Sequence, residues 1–191
     1  MFSEESFTTY ITMRTKLLLF ITLAALVFAS CSKDDETDSI WAEDNLAAYK
    51  KTAASAEYKT IESQSKNGSI AYKVIKSGDG ETPLYTDYVK VLYTGWFKLV
   101  DWNKGDTFVN EDGVKVTNTF IFDSTANRNN VPSLFRVSGV VDGFSTALQH
   151  MKVGDKWEVW IPAQLGYGLV PQQNIPANTT LVFEIELVEI L

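Results

Sequence analysis

Two polar side chains stand in settings where ordinary packing does not call for them. Asp123 closes the apolar run Thr-Phe-Ile-Phe at positions 119–122. A carboxylate there is costly to bury without partners, so it marks a working position in an apolar wall. Tyr167 lies between Gly166 and Gly168, which places a phenolic hydroxyl on a loop. Neither has the company that covalent catalysis needs. The single histidine, His150, falls beside rather than within a helical apolar stripe and reads as a solvated residue, not a general base. The acidic residues are scattered rather than paired, and the chain has no Gly-x-Ser-x-Gly elbow, phosphate-binding loop or dinucleotide fingerprint. A nucleophile with an adjacent base is therefore poorly supported. One cysteine and one histidine exclude a structural zinc site of the Cys/His type, and no EF-hand spacing occurs, so neither metal nor cofactor is expected. A net charge of −7 without any basic stripe argues against nucleic acid and against anionic lipid heads as partners.

The elements that must position these residues are mostly strands. With 191 residues, 45% of them hydrophobic and 13% aromatic, the chain can build one ordinary packed domain plus appendages. From Ser69 onward, Ile70, Tyr72 and Val74 alternate with Ala71, Lys73 and Ile75, and a Ser-Gly-Asp-Gly turn follows at 77–80. A β-branched and aromatic strand runs over 88–94 and ends at Gly95; another covers 156–161 and stops at Pro162. At the C-terminus Leu181, Phe183, Ile185 and Leu187 face one way while Glu184 and Glu186 face the other. One face buried and one wet argues for antiparallel pairing. Only Phe144, Ala147, Leu148 and Met151 fall at i, i+3, i+4 and i+7. The reading is an α+β fold, an antiparallel β-sheet wrapped around one short amphipathic helix.

The N-terminus reads as an address. Arg14 and Lys16 precede an apolar run over 17–28, and Ala29, Ser30 and then Cys31 follow, as in a secretory signal peptide. The run is too short for a comfortable transmembrane span. The lone cysteine after Phe-Ala-Ser resembles a bacterial lipobox, which implies lipidation of Cys31, and the Ser-Lys-Asp-Asp-Glu run at 32–36 resembles the acidic export signal of Bacteroidota surface lipoproteins. Met13 is a more natural start than Met1. Residues 1–31 are thus expected to be a leader ending at Cys31, residues 32–68 a polar tether with a short helix around Trp41–Tyr49, and residues 69–191 the functional domain.

Six short motifs in that domain, in order, resemble the FKBP-type peptidyl-prolyl cis/trans isomerases. They are Val-Leu-Tyr-Thr-Gly at 91–95, Phe-Asp-Ser at 122–124, Val-Val-Asp-Gly-Phe at 140–144, Met-Lys-Val-Gly at 151–154, Leu-Gly-Tyr-Gly at 165–168, and Ile175-Pro176 with the Thr-Leu-Val-Phe-Glu-Ile-Glu-Leu strand at 180–187. The resemblance implies an isomerase acting on proline-containing polypeptides and open to macrolide-type inhibitors; together with the lipobox-like leader it implies a lipid-anchored protein of the cell envelope, at the outer membrane and facing periplasm or surface. It implies a catalytic set of Tyr93, Phe122, Asp123, Tyr167 and Phe183, and a substrate-binding set of Val140, Val141, Phe144 and Ile175. Phe144 would be the floor under the prolyl ring, the Ile175 and Val141 N–H groups would each hold a substrate carbonyl, and Asp123 would orient the pocket and face the twisted amide. Three departures stand out: Phe144 replaces a floor tryptophan, Ser133 falls where an aromatic often lines the pocket, and residues 96–119 form an insertion with two turn-like stretches. The insertion reads as a strand extension or extra hairpin near the pocket, either decorative or a flap over substrate. A non-catalytic module that binds prolyl peptides or a partner, and a surface lipoprotein that uses the insertion as an interaction surface, are the alternative functions.

Overall fold

The computed structural model describes residues 33–191. The leader and its Cys31 lie outside the described residues. The elements in chain order are α1 (Lys33–Ala53), β1 (Lys59–Glu62), β2 (Ser69–Lys76), β3 (Tyr88–Lys98), β4 (Thr107–Val109), β5 (Lys115–Thr117), β6 (Thr119–Ser124), β7 (Ser133–Arg136), α2 (Asp142–Leu148), β8 (Lys156–Ile161) and β9 (Leu181–Ile190). Seven strands form one sheet in the order β1-β2-β8-β9-β3-β6, with β7 also paired to β3, and every pairing is antiparallel. This is the expected α+β architecture, a sheet closed over one short helix.

Strict alternation explains the buried face. In β8, Trp157, Val159 and Ile161 point inward, and in β9, Leu181, Phe183, Ile185 and Leu187 do the same. Gly143 through Leu148 of α2 are all buried against them. The helix can lie so close because Gly143 has no side chain: a methyl there would sit 2.4 Å from Ile161 Cγ2. Strand β3 does not stop at Gly95 but runs to Lys98. The glycine marks a register shift against β6 between Gly95 and Trp96, so it bends the strand instead of ending it. The insertion is both things its sequence allowed, a continuation of β3 and a separate β4–β5 hairpin.

The stretch 32–68 differs from a tether with a short helix. Helix α1 is 21 residues long, β1 lies in the same stretch paired with β2, and Trp41–Leu191 forms a single compact unit. Trp41, Asn45, Ala48 and Tyr49, at i, i+4, i+7 and i+8, are the residues of α1 that pack on this unit. Asn45 is fully buried, and a polar residue in the stripe is what hides the period from a hydrophobicity reading.

Candidate functional site

Tyr93, Phe122, Asp123, Val140, Val141, Phe144, Tyr167, Ile175 and Phe183 all line one cavity of about 600 Å³. Five different elements deliver the rings. Phe144 comes from the first turn of α2, Tyr93 from β3, Phe122 from β6, Phe183 from β9 and Phe135 from β7. They meet at offset angles: Phe144 lies 5.1 Å from Phe183 and 6.1 Å from both Tyr93 and Phe135, and Phe122 lies 5.4 Å from Phe183. The pairs of Phe144 with Phe183, Tyr93 and Phe135, and of Phe122 with Phe183, are edge-to-face, the arrangement favoured by ring quadrupoles. Gly95 makes room for two of them, since a methyl at that position would come within 2.6 Å of both Phe122 and Phe183.

One edge of the cavity is polar. The Tyr93 hydroxyl donates to Asp123 Oδ2, and Arg128 Nη1 donates to Asp123 Oδ1 at 2.7 Å. Arg128 Nη2 also donates to the Tyr93 oxygen at 3.3 Å and to Ser133 Oγ at 3.2 Å. The turn that carries Arg128 is held in place at its start. Ser124 Oγ accepts from Ala126 N–H, and the buried Thr125 hydroxyl bridges the N–H and the carbonyl of Tyr93 at 3.0 and 3.1 Å. Partial burial pushes the Asp123 carboxyl upward, but the Tyr93 and Arg128 hydrogen bonds and the Arg128 charge outweigh it and hold the group below the usual carboxylate range. Burial, then the bond to Asp123, push the Tyr93 hydroxyl up to about 12. The pair is therefore a neutral phenol and an ionised carboxylate at neutral pH. The Ser124 backbone N–H adds a third hydrogen bond to the same carboxylate.

The opposite edge is a loop. Tyr167 follows a single 3-10 turn (Ala163–Leu165) and is 37% exposed; Gly168 beyond it adopts φ +61°, and its N–H donates to Ala163 O at 2.8 Å. Gln172 and Ile175 exchange backbone hydrogen bonds, Gln172 N–H to Ile175 O at 2.9 Å and Ile175 N–H to Gln172 O at 2.7 Å. The Ile175 N–H, expected to donate to a substrate carbonyl, here donates to Gln172 O. Val141 N–H has no acceptor among the described residues.

Other features were missed or misplaced from the sequence. The aromatic expected at the Ser133 position is supplied by Phe135, two residues on and therefore on the same face of β7. Arg128 stands in a run of asparagines with no local signal; only the need of Asp123 for a cationic partner pointed to it. Gln172, Gln173 and Asn174 also line the cavity. No residue of the 96–119 insertion does. Its Trp96 and Trp102 instead pack on Trp160, at 6.2 and 5.2 Å, on the face of the sheet opposite Val159 and Ile161.

Comparison with known proteins follows the same outline. The family model for the FKBP-type peptidyl-prolyl cis-trans isomerase matches residues 80–188. The FKBP-type 22 kDa peptidyl-prolyl cis-trans isomerase of Escherichia coli (strain K12) is 40% identical over 128 residues, covering 66% of this chain and 52% of the relative. The outer membrane protein MIP of Legionella longbeachae is 36% identical over 124 residues, covering 63% and 44%. The crystal structure of FkpA from Escherichia coli superposes with a TM-score of 0.62 at 25% identity, covering 99% of this chain and 73% of the other. The chain spans about half the length of the curated relatives it matches.

Proposed function

The chain belongs to the FKBP-type peptidyl-prolyl cis-trans isomerase family, and on that premise we propose that it accelerates cis/trans isomerisation of X–Pro bonds in exported polypeptides. The observation that supports this reading most directly is the ring-walled cavity with an ionised Asp123 at its edge. The barrier to be lowered is about 18–20 kcal/mol and arises from amide resonance, so no nucleophile is required. A prolyl ring seated on Phe144 among Tyr93, Phe122, Phe135 and Phe183 leaves water behind. The planar amide, whose carbonyl oxygen is the more negative, loses more by that transfer than the twisted amide does. The fixed charge of Asp123 acts in the same direction, because it disfavours the electron-rich carbonyl of the conjugated state. A combined gain of about 4 kcal/mol is roughly a thousandfold in rate. Tyr167 supplies a hydroxyl to the bound peptide, and Val141 a free N–H. The same apolar cavity suits macrolide-type inhibitors.

Exchange kinetics on a panel of X–Pro peptides test the proposal. The full chain should accelerate exchange, and Asp123→Ala and Phe183→Ala should each lose at least about fivefold in kcat/KM with the fold intact. No acceleration on any peptide would end the isomerase reading.

For location, we propose an envelope lipoprotein anchored through Cys31. The support is the leader pattern and the name of the Legionella longbeachae relative, an outer membrane protein.

A further inference from the structure

Helix α1 reaches the cavity through hydrogen bonds that no spacer needs. Asn45 has no exposed surface. Its Oδ1 accepts from Thr180 N–H at 2.8 Å, its backbone carbonyl accepts from the Thr180 hydroxyl at 2.9 Å, and its Nδ2 donates back to Trp41 O at 2.9 Å. One turn earlier, Trp41 Nε1 donates to the Thr179 hydroxyl at 3.2 Å. That hydroxyl in turn donates to Pro176 O at 2.7 Å, one residue from Ile175. Asn178, in a left-handed conformation at φ +61°, donates its N–H to Gly168 O at 2.8 Å, one residue from Tyr167. Tyr167 and Ile175, two of the cavity residues on the loop wall, are thus each one residue away from a bond made by the 176–180 turn, and that turn is held by α1. A second route runs through rings: Trp41 meets Phe97 edge-on at 6.0 Å, and Phe97 stacks on Phe122 at 6.3 Å.

A loop wall without regular pairing is the part of a site most free to wander. The sequence supplies no disulfide to restrain it, since the chain has one cysteine. Thr179 and Thr180 are 3% and 1% exposed, so water is not available to replace the partners that α1 gives them. We infer that α1 is a working part of the pocket, with Asn45 and Trp41 as positioning residues that set the 176–180 turn and through it Ile175 and Tyr167. The inference rests on the isomerase reading for its catalytic consequence but not for its geometry.

The test uses two variants of the full chain and two independent readouts. Asn45→Ala removes the acceptor for Thr180 N–H. Trp41→Phe keeps a ring against Phe97 and removes the indole N–H from Thr179 together with part of the ring volume. In both, kcat/KM on a short Leu-Pro peptide should fall, by about tenfold in Asn45→Ala, with the loss carried by KM because the peptide-contacting wall is displaced. In both, the amide resonances of Tyr167, Gly168 and Ile175 should shift while those of Asp123 and Phe135 stay in place. Lower melting temperatures with KM and the Gly168 and Ile175 resonances at wild-type values would overturn the inference and leave α1 a merely structural support. If Asn45→Ala does not fold, Trp41→Phe decides by the same criteria. If the wild-type chain accelerates no exchange, the isomerase reading fails by itself; peptide titration followed at the Gly168 and Ile175 amides still decides whether α1 sets the wall.

Discussion

Arg128 governs how Asp123 titrates, and that makes the pair testable by pH. The guanidinium bonds directly to the carboxylate and stands with its charge over the Tyr93 ring, 5.9 Å from the ring centre. Because the Asp123 carboxyl is held below its ordinary range, its ionised form contributes stability above that range, and the contribution is lost as pH falls through the lowered value. Removing Arg128 removes part of what favours the charged form, so the carboxyl rises. In Arg128→Met the acid limb of kcat/KM should therefore move to higher pH, and acid unfolding should begin at higher pH as well. An unmoved acid limb would mean that Asp123 ionisation is not what the rate reports. Tyr93, pushed up to about 12, stays neutral across the working range, so a basic limb near neutrality would have to come from another group. At this scale the sequence showed Asp123 and Tyr93 but not the link between them. An aspartate ending an apolar run is visible as a local anomaly, whereas its partner is a surface arginine five residues on, paired only because the 125–128 turn reverses the chain.

Among the elements, β3 is the one on which both the sheet and the cavity depend, since it pairs with β6, β7 and β9. Gly95→Ala puts a methyl 2.5 Å from Phe122 Cζ and 2.6 Å from Phe183 Cε1, in the middle of the ring wall. Overpacking of this kind costs about 1–3 kcal/mol, and the rings must separate to relieve it. A lower melting temperature together with weaker peptide binding is expected; a drop in stability with unchanged peptide affinity would show that the rings yield elsewhere. The insertion behaves as a separate element. Fully buried Asn118 organises it, donating to the carbonyls of Asp101, Lys104 and Gly105 and accepting from the N–H groups of Val100 and Asp101. Asn118→Ala removes the one side chain that joins those groups, and because Val100, Lys104 and Gly105 are exposed, water replaces part of what is lost. Amide exchange at Val100 and Asp101 should accelerate, while kcat/KM stays within about twofold because the insertion lines no part of the cavity. A larger loss of turnover would tie the insertion to catalysis. Strands β8 and β9, with largely alternating apolar positions, were legible from sequence, as was β2 from its β-branched and aromatic run. The run of β3 past a glycine and the length of α1 were not, because a bulge looks like a stop and an aspartate–asparagine pair looks like the start of a short helix.

For the molecule as a whole, the proposed anchor and the candidate site fall in separate stretches of chain. Every residue lining the cavity lies between 93 and 183, inside the unit Trp41–Leu191, whereas the proposed lipid site is Cys31. The boundary expected at residue 69 came from composition alone, and polar composition does not distinguish a solvated spacer from a helix that docks through a few residues. The separation itself was nonetheless readable, because an apolar leader ending in the only cysteine has no counterpart in the strand-rich body. It leads to an expectation in which two properties part. In cells, wild-type chain should incorporate radiolabelled palmitate and sediment with membranes, and Cys31→Ala should lose the label and appear in the soluble fraction. The kcat/KM of the two purified forms should agree within about twofold, since the residues lining the cavity all lie at or beyond Tyr93 in the chain. Label retained in Cys31→Ala would refute the anchor. Label lost together with turnover would mean that the leader end of α1 influences the same loop wall that Asn45 and Trp41 hold, and the positioning role of the helix would then begin before Trp41.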